Sequence, residues 1–207
     1  VDRLAATYLM ALGEGERARS LPALRHLPAG DWEVLAAGIR GSWAVPTSSM
    51  GRLFDVVAAL LGLAREVTYE AQAAIRLETL ARRAPSAPVR TYPWERQGGE
   101  GSVAGVLRAV LDDLEEGVPA EQVALAFHRT AADMVVGVCG ALAQETGTKR
   151  VALSGGCFQN RLLLALCAEG LHRAGLEPLL HRELPPNDGC VSVGQVVAAR
   201  LSAGRSG

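Results

Sequence analysis

Val151-Ala152-Leu153-Ser154-Gly155-Gly156-Cys157-Phe158-Gln159-Asn160 decides the fold. A short apolar run enters two glycines and leaves into apolar residues at helical spacing, so the stretch reads as strand, tight turn and helix. The same order recurs downstream: a strand from Pro178 to His181, the turn Leu184-Pro185-Pro186-Asn187-Asp188-Gly189-Cys190, and a helix from about Cys190 to Ala203. Strand, helix, strand, helix predicts a small parallel sheet with right-handed crossovers. In such sheets ligands lie at the carboxyl ends of the strands, which is where Gly155 and Gly156 fall.

Working outward, the spacing predicts helices from Val103 to about Glu115 and from Pro119 to about Thr146, with a strand from Arg150 to Leu153. Residues 1–84 read as helices throughout, from Leu35, Ala36 and Ile39 to Leu53, Val56, Val57 and Leu60, and on to Ala74, Ile75, Leu77 and Leu80. Between them the prolines and glycines of residues 85–102 mark a linker with one short strand, Val89 to Tyr92. The expected organisation is a helical part (1–84), a linker (85–102) and an α/β part (103–207).

The chain has 207 residues, 49% of them hydrophobic and 21% charged, with a mean hydropathy of +0.15. That is globular material, enough for one domain or two small ones. A formal charge of −1 excludes nucleic-acid binding by counterion release alone. Lys149 is the only lysine, which confines any lysine Schiff base or P-loop chemistry to that position. The cysteines, Cys139, Cys157, Cys167 and Cys190, form no CxxC pair and read as reduced thiols. With no leader-like opening, and with Val56 to Ala64 as the longest apolar stretch, a cytoplasmic protein without a membrane span is expected. The chain starts at Val1, inside a helix-like run, as a piece of something longer would.

Three stretches carry residue types suited to binding. In Thr47-Ser48-Ser49-Met50-Gly51-Arg52-Leu53-Phe54-Asp55, Ser48 or Ser49 is a natural helix cap. Gly51 leaves room for a close approach, and Asp55 lies one turn on, on the same face. Its carboxylate either accepts from a vicinal diol such as a ribose or serves the helix dipole. In the deciding stretch, Gly155 and Gly156 either cradle a phosphate or nucleobase, with Asn160 offering a donor and an acceptor, or make a plain turn. In the third, Asn187-Asp188-Gly189 is an Asx turn, or Asp188 is a ligand for an oxygen-preferring divalent ion. Glu70, in Tyr69-Glu70-Ala71-Gln72, is either a first-turn dipole partner or a second ribose-binding acid. His26, His128, His172 and His181 show no metal-ligand spacing. His128 reads as a core or surface histidine, and Cys157 as a small thiol with no base near it in sequence.

Taken jointly, TSSMGRLFDVVAALLG (47–62), YEAQAAIRLE (69–78), SGGCFQNRLLL (154–164) and PPNDGCVSVGQ (185–195) resemble, in order and over nearly the whole chain, the carboxyl-terminal lobe of the hydrogenase maturation carbamoyltransferase family HypF. The resemblance implies an α/β, helix-rich lobe of the actin/Hsp70-like (ASKHA) nucleotide-binding fold, related to TsaD. It implies an enzyme that makes carbamoyl-adenylate from carbamoyl phosphate and ATP and hands the carbamoyl group to the carboxyl-terminal cysteine of HypE. On the same ground Gly51, Asp55 and Glu70 are expected on the ribose and adenine side, and Gly155, Gly156 and Asn160 against the adenylate. Asp188 is expected to ligate a divalent metal, Mg or Fe, whose paired histidines lie outside this chain, so that the site is incomplete here. Cys157 and Cys190 depart from the family pattern, both as small residues whose effect is expected in packing. HypE and further domains of the same protein are the implied partners. A missing lobe would leave an apolar patch that makes a homodimer plausible. Alternatives are a TsaD-like tRNA transferase, disfavoured by the net charge, a small-molecule O-carbamoyltransferase, and a non-catalytic interaction module.

Overall fold

The computed structural model describes residues 1–41, 45–85, 90–97 and 100–203. Its contacts divide the chain into two compact units, Val1–Met134 and Val135–Gly207.

The first unit is mainly helical. It contains α1 (Asp2–Ala11), α2 (Gly15–Ser20), α3 (Ala29–Arg40), α4 (Met50–Leu60) and α5 (Gln72–Ala81). A hairpin of β1 (Glu95–Gln97) and β2 (Glu100–Ser102) follows, then α6 (Ala104–Glu115) and the first half of α7 (Ala120–Thr146). Helix α4 organises the core. Leu53, Phe54, Val56, Val57, Ala58, Ala59 and Leu60 are all buried, so the helix is apolar nearly all round and must be covered, which α1 and α5 do. Ser49 starts it, its Oγ accepting from the Arg52 N–H at 3.4 Å. Phe54 meets Phe127 edge-on at 4.8 Å between centroids and His128 at 5.2 Å. Truncating Phe54 to alanine would remove this junction of α4 with α7 at a cost of about 3–5 kcal/mol.

Residues 85–102 are not where the contacts divide. Val89 lies outside the described residues, and Arg90 to Trp94 pair with no strand; the strands are β1 and β2, antiparallel with Glu95 opposite Ser102. Tyr92 explains the difference, because it is buried. Its N–H donates to Thr130 Oγ1 at 2.7 Å and its hydroxyl to Asp113 Oδ2 at 2.7 Å. Asp113, itself buried, also pairs with Arg90. The segment is thereby fastened to α6 and α7.

Helix α7 is long and apolar enough by composition to cross a membrane, so it exceeds the Val56–Ala64 run. Half of its apolar window is buried inside the protein, with Phe127, His128 and Thr130 in the core, which is how a core helix passes the same test.

The second unit holds the rest of α7, β3 (Arg150–Leu153), α8 (Arg161–Arg173), β4 (Glu177–Leu180) and α9 (Val191–Ala203). Strands β3 and β4 are parallel, with Arg150 opposite Glu177 and Leu153 opposite Leu180. Single turns of 3₁₀ helix, Gly156–Gln159 and Asp188–Cys190, precede α8 and α9. Helix α8 lies close on α7 because Gly170 has no side chain: a Cβ there would sit 2.6 Å from Val136 Cγ2. Helix α9 has no buried residue, and Val191, Val196, Val197 and Leu201 are half or more exposed.

Candidate functional site

The loops at the carboxyl ends of β3 and β4 are joined by the backbone. Gly155 follows β3 at φ +103° and ψ 159°, a conformation essentially confined to glycine. That geometry points its N–H at the Pro186 carbonyl, 2.7 Å away in the loop after β4. Gly156 is different. Its φ is not positive, and a Cβ built on it meets nothing within 4 Å. Neither conformation nor packing therefore requires glycine at 156, and the space above it is open to a ligand.

Beside these loops lies an open cleft of ≈ 370 Å³ lined by Leu153, Phe158, Gln159, Arg161, Leu164, His181 and Pro186. His181 Nε2 lies 3.0 Å from Ser154 Oγ. The parallel register accounts for the pairing, because Leu153 faces Leu180 and the next residues of both strands are Ser154 and His181. The spacing of the two predicted strands carries this signal.

Asn160 caps α8: its Oδ1 accepts from the Leu163 N–H at 2.9 Å. The acceptor expected to face a ligand is thus committed to the helix end, one residue before the helix rather than in its first turn. Asn187 makes the expected Asx turn, Oδ1 accepting from the Gly189 N–H at 3.2 Å. Asp188 follows it, exposed. Among the described residues no three His, Cys, Asp or Glu side chains gather around a metal-sized space. The donor set here does not fit a metal held by this chain alone, and Asp188 stands as a single carboxylate.

The remaining predicted residues lie in the first unit. Gly51 is in the first turn of α4 and Asp55 one turn on, on the same face. Burial pushes the Asp55 carboxyl above the usual carboxylate range, against the opposing charge of Arg52, whose Nη1 lies 3.6 Å from Oδ2. Glu70 is exposed and precedes α5, which begins at Gln72, so it is not a first-turn residue. The reason is Ala71, at φ 60° and ψ 10°, the one non-glycine residue at positive φ among those described. Buried Gln72 braces this turn, its Oε1 accepting from the Thr68 N–H at 2.8 Å. A left-handed alanine of this kind is a signal that spacing alone does not carry.

The other titratable groups read as structure. His128 is fully buried, its Nδ1 2.7 Å from the Ala124 carbonyl, and burial lowers its pKa. None of the four cysteines forms a disulfide, and burial pushes the Cys167 thiol up to about 12.

The chain is helix-rich α/β with a small parallel sheet, an architecture that fits a lobe of the ASKHA-like fold. The profile of the family described as "Carbamoyltransferase, Kae1-like Domain, second subdomain" matches residues 1–195, and the chain belongs to that family of carbamoyltransferases, the HypF family. It is 42% identical over 154 residues to the carbamoyltransferase HypF of Synechocystis sp., covering 73% of this chain and 19% of that one. A HypF homolog of Cupriavidus necator is 40% identical over 163 residues, covering 74% and 41% respectively. The crystal structure of full-length HypF in the phosphate- and nucleotide-bound form superposes with a TM-score of 0.82 at 30% identity, over 93% of this chain and 26% of that one. The chain thus spans a fifth to two fifths of the length of these curated relatives.

Proposed function

We propose that this chain supplies the nucleotide-binding wall of a carbamoyltransferase that acts in hydrogenase maturation. The observation that carries the proposal is the pair of glycines after β3: Gly155 is locked by the bond to Pro186, and Gly156 is left without any neighbour that would need it. A nucleotide laid there approaches the backbone as closely as a nucleotide needs to. The likeness to a HypF crystallised with phosphate and nucleotide supports the same reading.

In this reading the intermediate is carbamoyl-adenylate, made from carbamoyl phosphate and ATP. Gly155 and Gly156 lie along the adenylate, and Asn160 fixes the helix end beside it. On the resemblance to the family, Gly51, Asp55 and Glu70 serve the ribose and adenine side of a nucleotide, the two carboxylates as acceptors for hydroxyls. The acceptor is the carboxyl-terminal cysteine of HypE. Its thiolate attacks the carbamoyl carbon, the bond from that carbon to the phosphate oxygen breaks, and AMP leaves with the electron pair. A divalent ion, Mg or Fe, would need ligands beyond Asp188, and no step is assigned to it.

The exposed apolar residues of α9 suit burial against another domain of the same protein, or against a second copy. Cysteines outside any disulfide agree with the reducing cytoplasm proposed as its compartment.

The test is calorimetric titration of the chain with AMP and ATP, with and without Mg²⁺, beside Asp55→Ala. Binding that the substitution weakens at least tenfold is expected. Absence of binding to any adenine nucleotide would overturn the reading and favour an interaction module.

A further inference from the structure

The pair Ser154 and His181 has no evident part in holding the fold. His181 and Ser154 are both exposed, and a hydrogen bond that water can replace contributes little to stability. Yet the two side chains meet at 3.0 Å across 27 residues of sequence. Their position is set by rigid neighbours on both sides: the β3–β4 register behind them, and the Gly155 to Pro186 bond in front. His181 also lines the cleft, together with Arg161 and the apolar Leu153, Phe158, Leu164 and Pro186. A cleft lined by a guanidinium, an imidazole and apolar side chains, with the Ser154 hydroxyl bonded to that imidazole, suits a phosphoryl group carried on a flat organic body.

We infer that Ser154 contacts the nucleotide's phosphoryl oxygen and that His181 is a positioning residue acting through Ser154. This rests on the nucleotide-wall reading and adds two residues to it. The hydrogen bonding is consistent in one direction. The Nε2–H tautomer of His181 donates to Ser154 Oγ, which leaves the hydroxyl proton to donate to a phosphoryl oxygen. A donor held in this way loses less freedom on binding than a rotating hydroxyl does.

The experiment is calorimetric titration of AMP and of adenosine into the 207-residue chain and into Ser154→Ala, His181→Leu, His181→Gln and the double variant Ser154→Ala/His181→Leu. Ser154→Ala is expected to weaken AMP about tenfold, the usual scale for one hydrogen bond to a charged group, and to leave adenosine unchanged. His181→Leu is expected to lose several-fold for AMP. His181→Gln, whose amide also donates to Oγ, should recover most of that loss, which a merely structural role would not produce. In the Ser154→Ala background His181→Leu should cost nothing further, because its effect runs through the missing hydroxyl. Wild-type chain that binds AMP while Ser154→Ala or His181→Leu binds it equally well would overturn the inference and leave the nucleotide reading standing; so would losses that add in the double variant. Wild-type chain that binds neither ligand would overturn both.

Discussion

Gly155 and Gly156 are adjacent and chemically identical, yet the structure gives them opposite reasons to be glycine, and two substitutions separate those reasons. Gly155 sits at φ +103° and ψ 159°, so Gly155→Ala either holds a side chain in a region reserved for glycine or relaxes and breaks the 2.7 Å bond to Pro186. The cost is about 1–3 kcal/mol, and each kcal/mol lowers Tm by about 2–4 °C in a chain of this length. Gly156→Ala meets no neighbour within 4 Å and no positive φ. Its stability is expected within about 0.5 kcal/mol of wild type, or slightly higher because alanine restricts the unfolded chain. The assay pairs urea unfolding, followed by far-UV circular dichroism, with AMP titration. Gly155→Ala should unfold at lower urea; Gly156→Ala should unfold with wild type and bind AMP at least tenfold more weakly. The reasoning is refuted if Gly156→Ala is destabilised as much as Gly155→Ala, or if it binds AMP as wild type does.

Three further outcomes follow from groups in the first unit. Relieving the left-handed strain at Ala71, about 1–2 kcal/mol, against the added freedom of glycine in the unfolded chain, about 0.5–1 kcal/mol, makes Ala71→Gly neutral to about 1.5 kcal/mol more stable, read as a shift in urea midpoint. Asp55 has a raised carboxyl pKa through burial, so its ionised form is penalised in the fold at pH above its folded pKa, and the penalty is gone below the unfolded value. Asp55→Asn should therefore raise Tm at neutral pH, lose that advantage as pH falls through the carboxylate range, and still weaken AMP binding. His128 has a lowered pKa, chiefly through burial: its neutral form is favoured in the fold, so stability falls as pH drops below about 6.5 toward the folded pKa. His128→Gln should flatten that part of a Tm-against-pH profile.

Much of the architecture was legible because it rests on period and punctuation. The strand before Gly155, the α7 and α8 patterns and the final helix show in the order of apolar runs and glycines, and the parallel pairing follows from that order. The Asx turn at Asn187 was legible for the same local reason. The packing of residues 90–94 was not, because what fastens them is side-chain bonding to distant positions, with buried Tyr92 bonded to Asp113 and Thr130, Arg90 to Asp113 and Trp94 to Asp133. Proline and glycine content describes the backbone there and says nothing of such an anchor. At the candidate site, residue types suggested Asn160 and Glu70 as ligand groups. What they do not carry is that Asn160 Oδ1 also caps a helix end and that Glu70 stands outside its helix, before a left-handed alanine. The meeting of Ser154 and His181 was implicit in the strand register, but it becomes visible only when the two strands are aligned residue against residue.

The central claim is that the glycine loop after β3 bears the nucleotide. The most direct measurement is a ¹⁵N–¹H correlation spectrum of the chain titrated with AMP. The largest shifts are expected at the amides of Gly155, Gly156 and Cys157, with smaller ones at Asp55 and Glu70. Saturating AMP that leaves Gly155 and Gly156 unmoved, or that shifts only residues remote from both motifs, would contradict it.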